Sequence, residues 1–437
     1  MNVTLLQKKG DLTAQLPPGW SLAQTIFKEG QKEVEPPARL LARALTGPIE
    51  SPPLEALLKP SAKVALVVDD LTRPTPVAEL LPPLLEKIEA GGVARNQVDI
   101  VIGTGTHRPM DRAEMELRLG KEVVGDYRVH NHDPKAPDLV VMGELPDYGP
   151  IAFNRVVAQA DVKIIVGSIL PHVHNGFGGG PKNIMPAVCD FETIRRHHLT
   201  HVLHHRARVG IFKDNPFLDR IRTIADLAKV DFAVQCVYDS FGRIYDVLCG
   251  GVNAVHRTGA GMETQGLGVK AQGRTEVTIV SSFPYDEGPQ IMKSFMPAGM
   301  VTQPGGSILV VTELKQPLPD FFLDNAREMR GDGSAEAVRC TLDKLEQCQP
   351  LIENGPMDFN MAIILVLSVA RRFRLTLIGD QVLESAAQAM GYLYQPDLDS
   401  ALKEEARLKP QAEVSLIPGG GYIFPVLDEP FHLFGEE

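Results

Sequence analysis

Three short segments of the sequence combine ionisable side chains with glycine and proline. They are DDLTRPTP (69–76), GTGTHRP (103–109) and PHVHNGFGGGPKNIMP (171–186). Imidazole and carboxylate groups are common acids and bases in enzymes, whereas arginine and lysine bind carboxylates and phosphates. The three segments therefore predict a site that binds an anionic ligand and moves protons.

The first segment carries Asp70, Thr72 and Arg73 on a turn stiffened by proline. The planar guanidinium group suits a carboxylate or a phosphate, and a carboxylate can bind a sugar hydroxyl. A turn closed by an internal Asp–Arg pair is the alternative. In the second segment His107 is predicted just beyond a strand, where it can act as a general base or make a structural hydrogen bond within a loop.

The third segment contains Gly178, Gly179 and Gly180, followed by Lys182. It lacks the GxxxxGK[ST] pattern of a P-loop, and its adjacent glycines do not fit GxGxxG. Successive glycines nevertheless allow backbone N–H groups to converge on an anion. Lys182 adds a cation, or an amine that can form a covalent bond. The segment is predicted to be an anion-binding loop.

Histidines are concentrated around and after this loop. Seven of the chain's 12 lie between residues 172 and 205, and the segment CDFETIRRHHLTHVLHHRARVG (189–210) is predicted to be a helix. The zinc-protease pattern HExxH is absent because position 198 is His rather than Glu. Most of these imidazoles are expected to lie on a helix face, with one or two available to a metal. A zinc- or manganese-dependent hydrolase or sugar isomerase, and a non-catalytic phosphate- or nucleotide-binding module, are the alternative functions.

Short β-branched runs at 63–70, 97–106, 138–143 and 161–168 are predicted to be strands of a parallel sheet, with a helix at 77–92 between the first two. A second α/β unit is predicted from about residue 275, after a polar, glycine-rich linker or hinge at 256–274. The fold class is therefore α/β, with two α/β domains, mostly parallel sheets and an active-site cleft between them.

Composition and charge narrow the functional classes. The 437 residues carry a net charge of −11, which argues against nucleic acid and against an anionic membrane surface as partners. The five cysteines are odd in number and form no CxxC pair, as expected of reduced thiols. The longest apolar run, 361–370, is too short to cross a bilayer, and the N-terminus lacks a signal-peptide core. A cytoplasmic protein is predicted.

Taken together, the motifs resemble those of the lactate racemase family. The matching segments are the three described above, the pair HH at 197–198, and SSFPYDEGPQIMKSF (281–295), in the same order and at similar spacing. The resemblance implies an N-terminal α/β domain (1–270) that carries the cofactor and the catalytic histidines. A C-terminal α/β domain (271–437) is expected to close over the substrate.

The family uses a nickel-pincer nucleotide, a pyridinium-3,5-bisthiocarboxylic acid mononucleotide nickel complex. The resemblance assigns His198 as the protein ligand of nickel and Lys182 as a residue able to form a thioamide with the cofactor. Asp70, Thr72 and the glycines at 178–180 would hold its phosphate and ribose. The family's two bases correspond to His107 and His172, and its substrate-binding positions correspond to Arg73, Gln290 and Lys293.

The implied reaction is racemisation or epimerisation at C2 of a 2-hydroxy acid, by hydride transfer through a 2-keto acid. Two positions differ from lactate-specific members, which have a tyrosine at Pro289 and an apolar aromatic residue at His174. The substrate pocket is therefore expected to be larger or more polar, and the enzyme not to be lactate-specific. Malate, longer 2-hydroxy acids and sugar acids remain open. Cofactor-biosynthesis enzymes are expected to supply the nucleotide, and homo-oligomerisation remains open.

Overall fold

Our computed structural model describes residues 1–30, 33–332, 335–428 and 431. Within these residues the strands are, in chain order, β1 (Asn2–Leu5), β2 (Leu12–Gln15), β3 (Trp20–Thr25), β4 (Val64–Asp69), β5 (Val98–Gly103), β6 (Arg128–Asn131), β7 (Val140–Leu145), β8 (Gly149–Phe153), β9 (Val162–Ser168), β10 (Pro171–His172), β11 (Gly176–Phe177), β12 (Phe232–Tyr238), β13 (Ile244–Gly250), β14 (Gly268–Lys270), β15 (Thr275–Ser281), β16 (Thr302–Val311), β17 (Arg374–Ile378), β18 (Leu393–Gln395), β19 (Ala412–Ile417) and β20 (Phe424–Val426).

The α-helices of the same residues are α1 (Pro37–Leu45), α2 (Leu54–Leu57), α3 (Val77–Ala90), α4 (Arg112–Leu119), α5 (Lys121–Asp126), α6 (Arg155–Gln159), α7 (Phe191–His201), α8 (Pro216–Asp226), α9 (Val252–Leu267), α10 (Phe295–Val301), α11 (Asp320–Arg330), α12 (Ala335–Glu346), α13 (Met357–Arg372), α14 (Val382–Met390) and α15 (Leu398–Leu408). Short 3₁₀ helices lie at Arg95–Gln97, Gly180–Asn183 and Gly288–Ser294.

The first large sheet has the strand order β13-β12-β9-β4-β5-β6. Its strands pair in parallel except for the antiparallel edge pair β12–β13. The central strands are apolar on both faces: every residue of β9 is buried, and so is every residue of β4 except its last. This is the burial expected of a parallel sheet covered by helices on both sides, and it confirms the prediction for 63–70, 97–106 and 161–168.

The second large sheet has the order β18-β17-β16-β15-β19-β3 and is parallel throughout. The mixed α/β architecture with mostly parallel sheets agrees with the predicted fold class. Strand β3, from the start of the chain, lies at the edge of this C-terminal sheet and pairs with β19. Residues 20–25, which the division at residue 270 assigns to the N-terminal domain, thus belong to the second sheet.

Three local predictions were wrong. Strand β7, predicted as part of the parallel sheet, instead forms a half-exposed antiparallel hairpin with β8. The stretch 256–274, predicted as a linker, falls largely within helix α9, where Gly259 allows close packing against Ile169. Helix α7 ends at His201, so the predicted helix at 189–210 is too long and His204 and His205 lie beyond it. In each case packing against neighbouring elements outweighed local composition.

The two sheets meet through helix α13. At its first residue, the backbone N–H of Met357 donates to Oγ1 of Thr106, 3.0 Å away in the loop after β5. This hydrogen bond brings the start of a C-terminal helix against the end of an N-terminal strand. None of the helices in the described ranges has an apolar stretch long enough to cross a bilayer.

Candidate active site

The site is built on the carboxyl ends of three adjacent strands, β9, β4 and β5. Parallel strands end at the same edge of a sheet, so the loops that follow them are brought together there. These loops line one cleft with Arg73, His107, His172 and Lys182, and the C-terminal domain contributes Gln290 and other residues to the same cleft. The structure thus brings all three motifs to one place.

Asp70 and His107 are in direct contact in the cleft. Oδ2 of Asp70 lies 2.6 Å from Nδ1 of His107, while Oδ1 accepts hydrogen bonds from the backbone and side chain of Thr72. Burial by itself raises the pKa of Asp70, but the charge and hydrogen bond of His107 outweigh it and hold the pKa well below its usual range. The carboxylate is therefore ionised and accepts Nδ1–H, which leaves Nε2 of His107 for a ligand.

The surroundings of His107 make it more basic. Burial alone lowers the pKa of His107, but Asp70 and then Asp358, whose Oδ2 lies 3.9 Å from Nε2, raise it above its usual value. An imidazole between two carboxylates retains its proton to a higher pH than one in water.

The turn at 69–75 is held by an arginine that sequence reasoning missed. Arg118 of α4 is buried and donates to the backbone oxygens of Asp69 (2.8 Å), Arg73 (3.1 Å) and Thr75 (2.6 Å). Three carbonyls held by one guanidinium group fix the turn's shape. Nothing in the local sequence around Arg118 marks it, because its partners are backbone atoms distant in the chain.

Arg73 itself is free to bind a ligand. Its Nη1 is buried without a hydrogen-bond partner, and no carboxylate in the described part of the chain lies within ion-pair distance of its guanidinium group. The alternative interpretation of this motif, a turn closed by an Asp–Arg pair, was therefore wrong: Asp70 pairs with His107. A buried donor without a partner is costly to leave unsatisfied, which favours an anionic ligand here.

The third motif forms a small hairpin, β10–β11, followed by a 3₁₀ helix that carries Lys182. Nδ1 of His172 accepts from the backbone N–H groups of His174 (3.2 Å) and Asn175 (3.4 Å). Nε2 of His172 is hydrogen-bonded to Nζ of Lys182. The imidazole of one motif residue and the amine of another are thus in direct contact.

The surroundings of these groups in the cleft favour their neutral forms. Burial, then the charges of Lys182 and Lys293, lowers the pKa of His172 well below its usual range. Burial and the charge of Arg73 do the same to the pKa of Lys182. The pKa of Lys293 falls for the same two reasons, with a further contribution from Lys182. A neutral lysine amine is a nucleophile, whereas an ammonium group is not.

The glycine turn is shaped by close contacts on two of its three residues. A Cβ on Gly179 would lie 2.4 Å from the backbone oxygen of Ser168, and one on Gly180 would lie 2.7 Å from Cβ of His256. The N–H groups of Gly178 and Gly180 already donate within the protein, to Leu170 and Gln235. Gly178 differs, since nothing lies closer than 3.8 Å to a Cβ placed there.

A buried polar chain connects this turn to the end of β4. Nδ2 of Asn183 donates to Asp69 (2.7 Å), Gln235 donates to Oδ1 of Asn183 (3.1 Å), and the N–H of Gly180 donates to Gln235 (2.9 Å). The loop that carries Lys182 is thereby linked by hydrogen bonds to Asp69 at the end of β4, next to Asp70. Gln235 comes from β12, where the sequence shows only an apolar strand with one glutamine, so its role could not be read from the motif.

The histidine-rich helix does not form a metal centre of its own. His197 is buried, with Nε2 2.8 Å from the backbone oxygen of Phe217, and His201 lies near the hydroxyl of Tyr148. His198 faces the cleft, and its Nδ1 lies 2.9 Å from the backbone oxygen of Ile194. Nowhere in residues 1–30, 33–332, 335–428 and 431 do three His, Cys, Asp or Glu side chains form a group suited to a metal.

The other predicted substrate-binding residues also line the cleft. His174 is buried with its ring 5.7 Å from that of Phe217, and burial, then the charge of Lys182, lowers its pKa to about 3. Gln290 and Lys293 belong to the 3₁₀ helix Gly288–Ser294, together with Pro289. Oε1 of Gln290 is buried without a partner, and Nζ of Lys293 lies 3.2 Å from the hydroxyl of Tyr285.

Comparison with known proteins agrees with the motifs. Residues 8–210 match the model of the lactate racemase N-terminal domain. Among characterised proteins, the chain is 28% identical over 279 residues to the lactate racemase of Thermoanaerobacterium thermosaccharolyticum. The N-terminal part of the chain is therefore similar to lactate racemases. A second lactate racemase, from Lactiplantibacillus plantarum, is 28% identical over 274 residues.

These alignments cover part of each lactate racemase: 63% of this chain and 65% of the first relative, and 62% and 64% for the second. The fold similarity extends further. The lactate racemase apoprotein structure from T. thermosaccharolyticum superposes with a TM-score of 0.85 at 23% identity, over 98% of this chain and 100% of that one. A Thermotoga maritima protein gives a TM-score of 0.67 at 19% identity, over 92% of this chain and 100% of that one.

The two cleft histidines are expected to titrate apart. In cofactor-free protein, the pKa of His107 should lie above the usual imidazole value of about 6.5 and that of His172 below it. His107 should then retain its proton as the pH rises through 6.5, while His172 is already neutral. Asp70→Asn should lower the pKa of His107, because it removes the adjacent charge. NMR titration of isotope-labelled histidines, assigned with His107→Gln and His172→Gln, measures both values. A His107 pKa unchanged in Asp70→Asn would contradict this electrostatic account.

Proposed function

We propose that this protein is a racemase or epimerase that inverts C2 of a 2-hydroxy acid with a nickel-pincer nucleotide bound in the cleft. The observation that carries the proposal is the contrast between two imidazoles in one cleft. His107 is made basic by Asp70 and Asp358, whereas His172 is kept neutral by burial and by nearby lysines. Inversion through a keto acid needs one group to take the hydroxyl proton and another to return it on the opposite face.

The residues of the cleft fit the proposed cofactor. The nearest protein atom would lie 3.8 Å from a Cβ added at Gly178, and this space suits a bound group that lies against the backbone. Nδ1–H of His198 can donate to Ile194, and this leaves the Nε2 lone pair for nickel, for which imidazole is a suitable ligand. Lys182, as a neutral amine hydrogen-bonded to an imidazole, suits covalent attachment. Asp70 and Thr72 are the candidates for ribose and phosphate contacts.

When bound, the nickel-pincer nucleotide supplies a site that accepts a hydride and returns it. The hydrogen on C2 of a hydroxy acid is weakly acidic, so hydride transfer avoids a costly carbanion. The protein's own task is to hold the acid and to manage the hydroxyl proton. Arg73, with its unpartnered Nη1, and Lys293 hold the carboxylate, and Gln290 completes the hydrogen bonds.

The hydroxyl proton of the substrate is transferred at Nε2 of two imidazoles. Nε2 of His107 accepts the hydroxyl proton of one enantiomer, because Nδ1–H is held by Asp70. Nδ1 of neutral His172 accepts two backbone N–H groups, so the ring proton is on Nε2, from which it can be returned to the oxygen of the keto acid. Nε2 is also in contact with the amine of Lys182, through which this proton can be replaced. Both rings are only partly exposed, which limits the access of competing water. We further propose a cytoplasmic location and supply of the nucleotide by cofactor-biosynthesis enzymes.

Replacement of either base should stop turnover. His107→Ala and His172→Ala, in cofactor-loaded protein, should each lower kcat for C2 inversion by at least about 10²-fold, the usual contribution of a general base. Nickel content should stay unchanged, since neither ring is the proposed nickel ligand. His130→Ala, at a surface histidine that pairs with Asp99, is the matched control. Turnover within threefold of wild type in either variant would remove that histidine from the mechanism.

Nickel binding should depend on His198. His198→Ala is expected to lower nickel per protein in cofactor-loaded samples at least fivefold, as measured by plasma mass spectrometry. His201→Ala, one turn further along α7, should retain nickel, because its imidazole lies near Tyr148. Equal nickel occupancy in His198→Ala and wild type would exclude His198 as a ligand.

A further inference from the structure

Asp358 is a cleft residue that lies outside the motifs and to which the proposed mechanism assigns no contact with the substrate. It is the second residue of α13 and lines the same cleft as His107 and Lys182. Its Oδ1 is buried without a hydrogen-bond partner, and its Oδ2 lies 3.9 Å from Nε2 of His107, too far for a hydrogen bond. Burial raises the pKa of this carboxyl, although the charge of His107 acts to lower it.

The side chains of α13 offer Oδ1 of Asp358 no donor. The cleft-facing residues of α13 around it, Met357, Met361 and Leu365, are apolar. The N–H of Met357 is already taken by Thr106. A buried carboxylate oxygen without a donor is unfavourable, so the bound ligand is expected to supply one.

A second acceptor in the cleft has the same need. Oε1 of Gln290 is also buried without a partner. Carboxylate binding by Arg73 and Lys293 uses donors of the protein and supplies nothing to either oxygen. The C2 hydroxyl donates to His107 during the reaction. We therefore expect a further donor on the substrate, beyond C2.

The chemistry of the cleft limits what that donor can be. The methyl group of lactate provides none. The second carboxylate of malate would place two anions against each other at Asp358. An ammonium group would satisfy Asp358 but would approach the guanidinium group of Arg73, which lines the same cleft. A neutral hydroxyl donates without either penalty.

We propose that Asp358 is a specificity-determining residue that selects acids with a hydroxyl beyond C2, a polyhydroxylated carboxylic acid, and discriminates against lactate and malate. This inference rests on the proposed function and names the substrate class for the same site.

The test compares acids that differ by one group. Cofactor-loaded wild type, Asp358→Leu, Asp358→Asn and the surface control Glu353→Gln are assayed for C2 inversion of lactate, glycerate, malate and 2,3,4-trihydroxybutanoate by chiral chromatography. Lactate and glycerate differ only in the C3 hydroxyl. In wild type, kcat/KM for a hydroxylated acid should exceed that for lactate at least tenfold.

The variants separate selection from other roles. Asp358→Leu should lower the ratio of kcat/KM for a hydroxylated acid to kcat/KM for lactate at least tenfold, because any change in the basicity of His107 affects both acids alike. Asp358→Asn, which removes the charge and keeps an acceptor, should raise malate turnover at least threefold. Glu353→Gln should change nothing. An equal loss on all four acids, a fall in nickel content, or a wild-type preference for lactate would overturn the proposal.

Calorimetric binding of the same acids keeps the inference testable without turnover. If none of the acids is inverted, the proposed function fails. Tenfold tighter binding of glycerate than lactate in wild type, lost in Asp358→Leu, would still support selection by Asp358. Equal binding of the two acids in wild type would overturn it.

Discussion

The hydrogen bond between Asp70 and His107 joins the loops of two neighbouring parallel strands at the edge where the cleft opens. The bond is 2.6 Å long and Asp70 is buried, as expected of a carboxylate that accepts a hydrogen bond from Nδ1–H of His107. The turn that carries Asp70 is held by Arg118 through three backbone carbonyls, and Asp69 is tied to the lysine-bearing loop through Asn183. The geometry of the base and of the candidate cofactor tether thus depends on the same strand end.

The electrostatics of the cleft follow from where its charges lie. Carboxylates lie around His107, whereas lysines lie around His172. The carboxylates raise the proton affinity of His107, and the lysines lower that of His172. Burial acts in the same direction on both rings and lowers the pKa of each, so the difference arises from their neighbours. Two imidazoles of unequal proton affinity in one cleft suit a reaction in which a proton is removed and then returned.

Much of this arrangement could be predicted from the sequence, because the motifs follow strands with clear apolar runs. The ends of β4, β5 and β9 were predicted to within a few residues, and parallel pairing then brings their loops together. The partners of those loops could not be predicted. Arg118, Gln235 and Asp358 come from elements whose local sequence gives no sign of contact with the cleft. Strand β3 joins the C-terminal sheet across nearly the whole chain, and helix α9 forms from a glycine-rich segment because small residues allow close packing.

The most direct test follows the hydrogen on C2. Cofactor-loaded protein is incubated in D₂O with one enantiomer of each acid in a 2-hydroxy acid series, and the inverted product is analysed by chiral separation and mass spectrometry. Hydride transfer predicts inverted product that retains protium at C2. Extensive deuterium at C2 of the product would contradict the account and indicate proton abstraction through a carbanion.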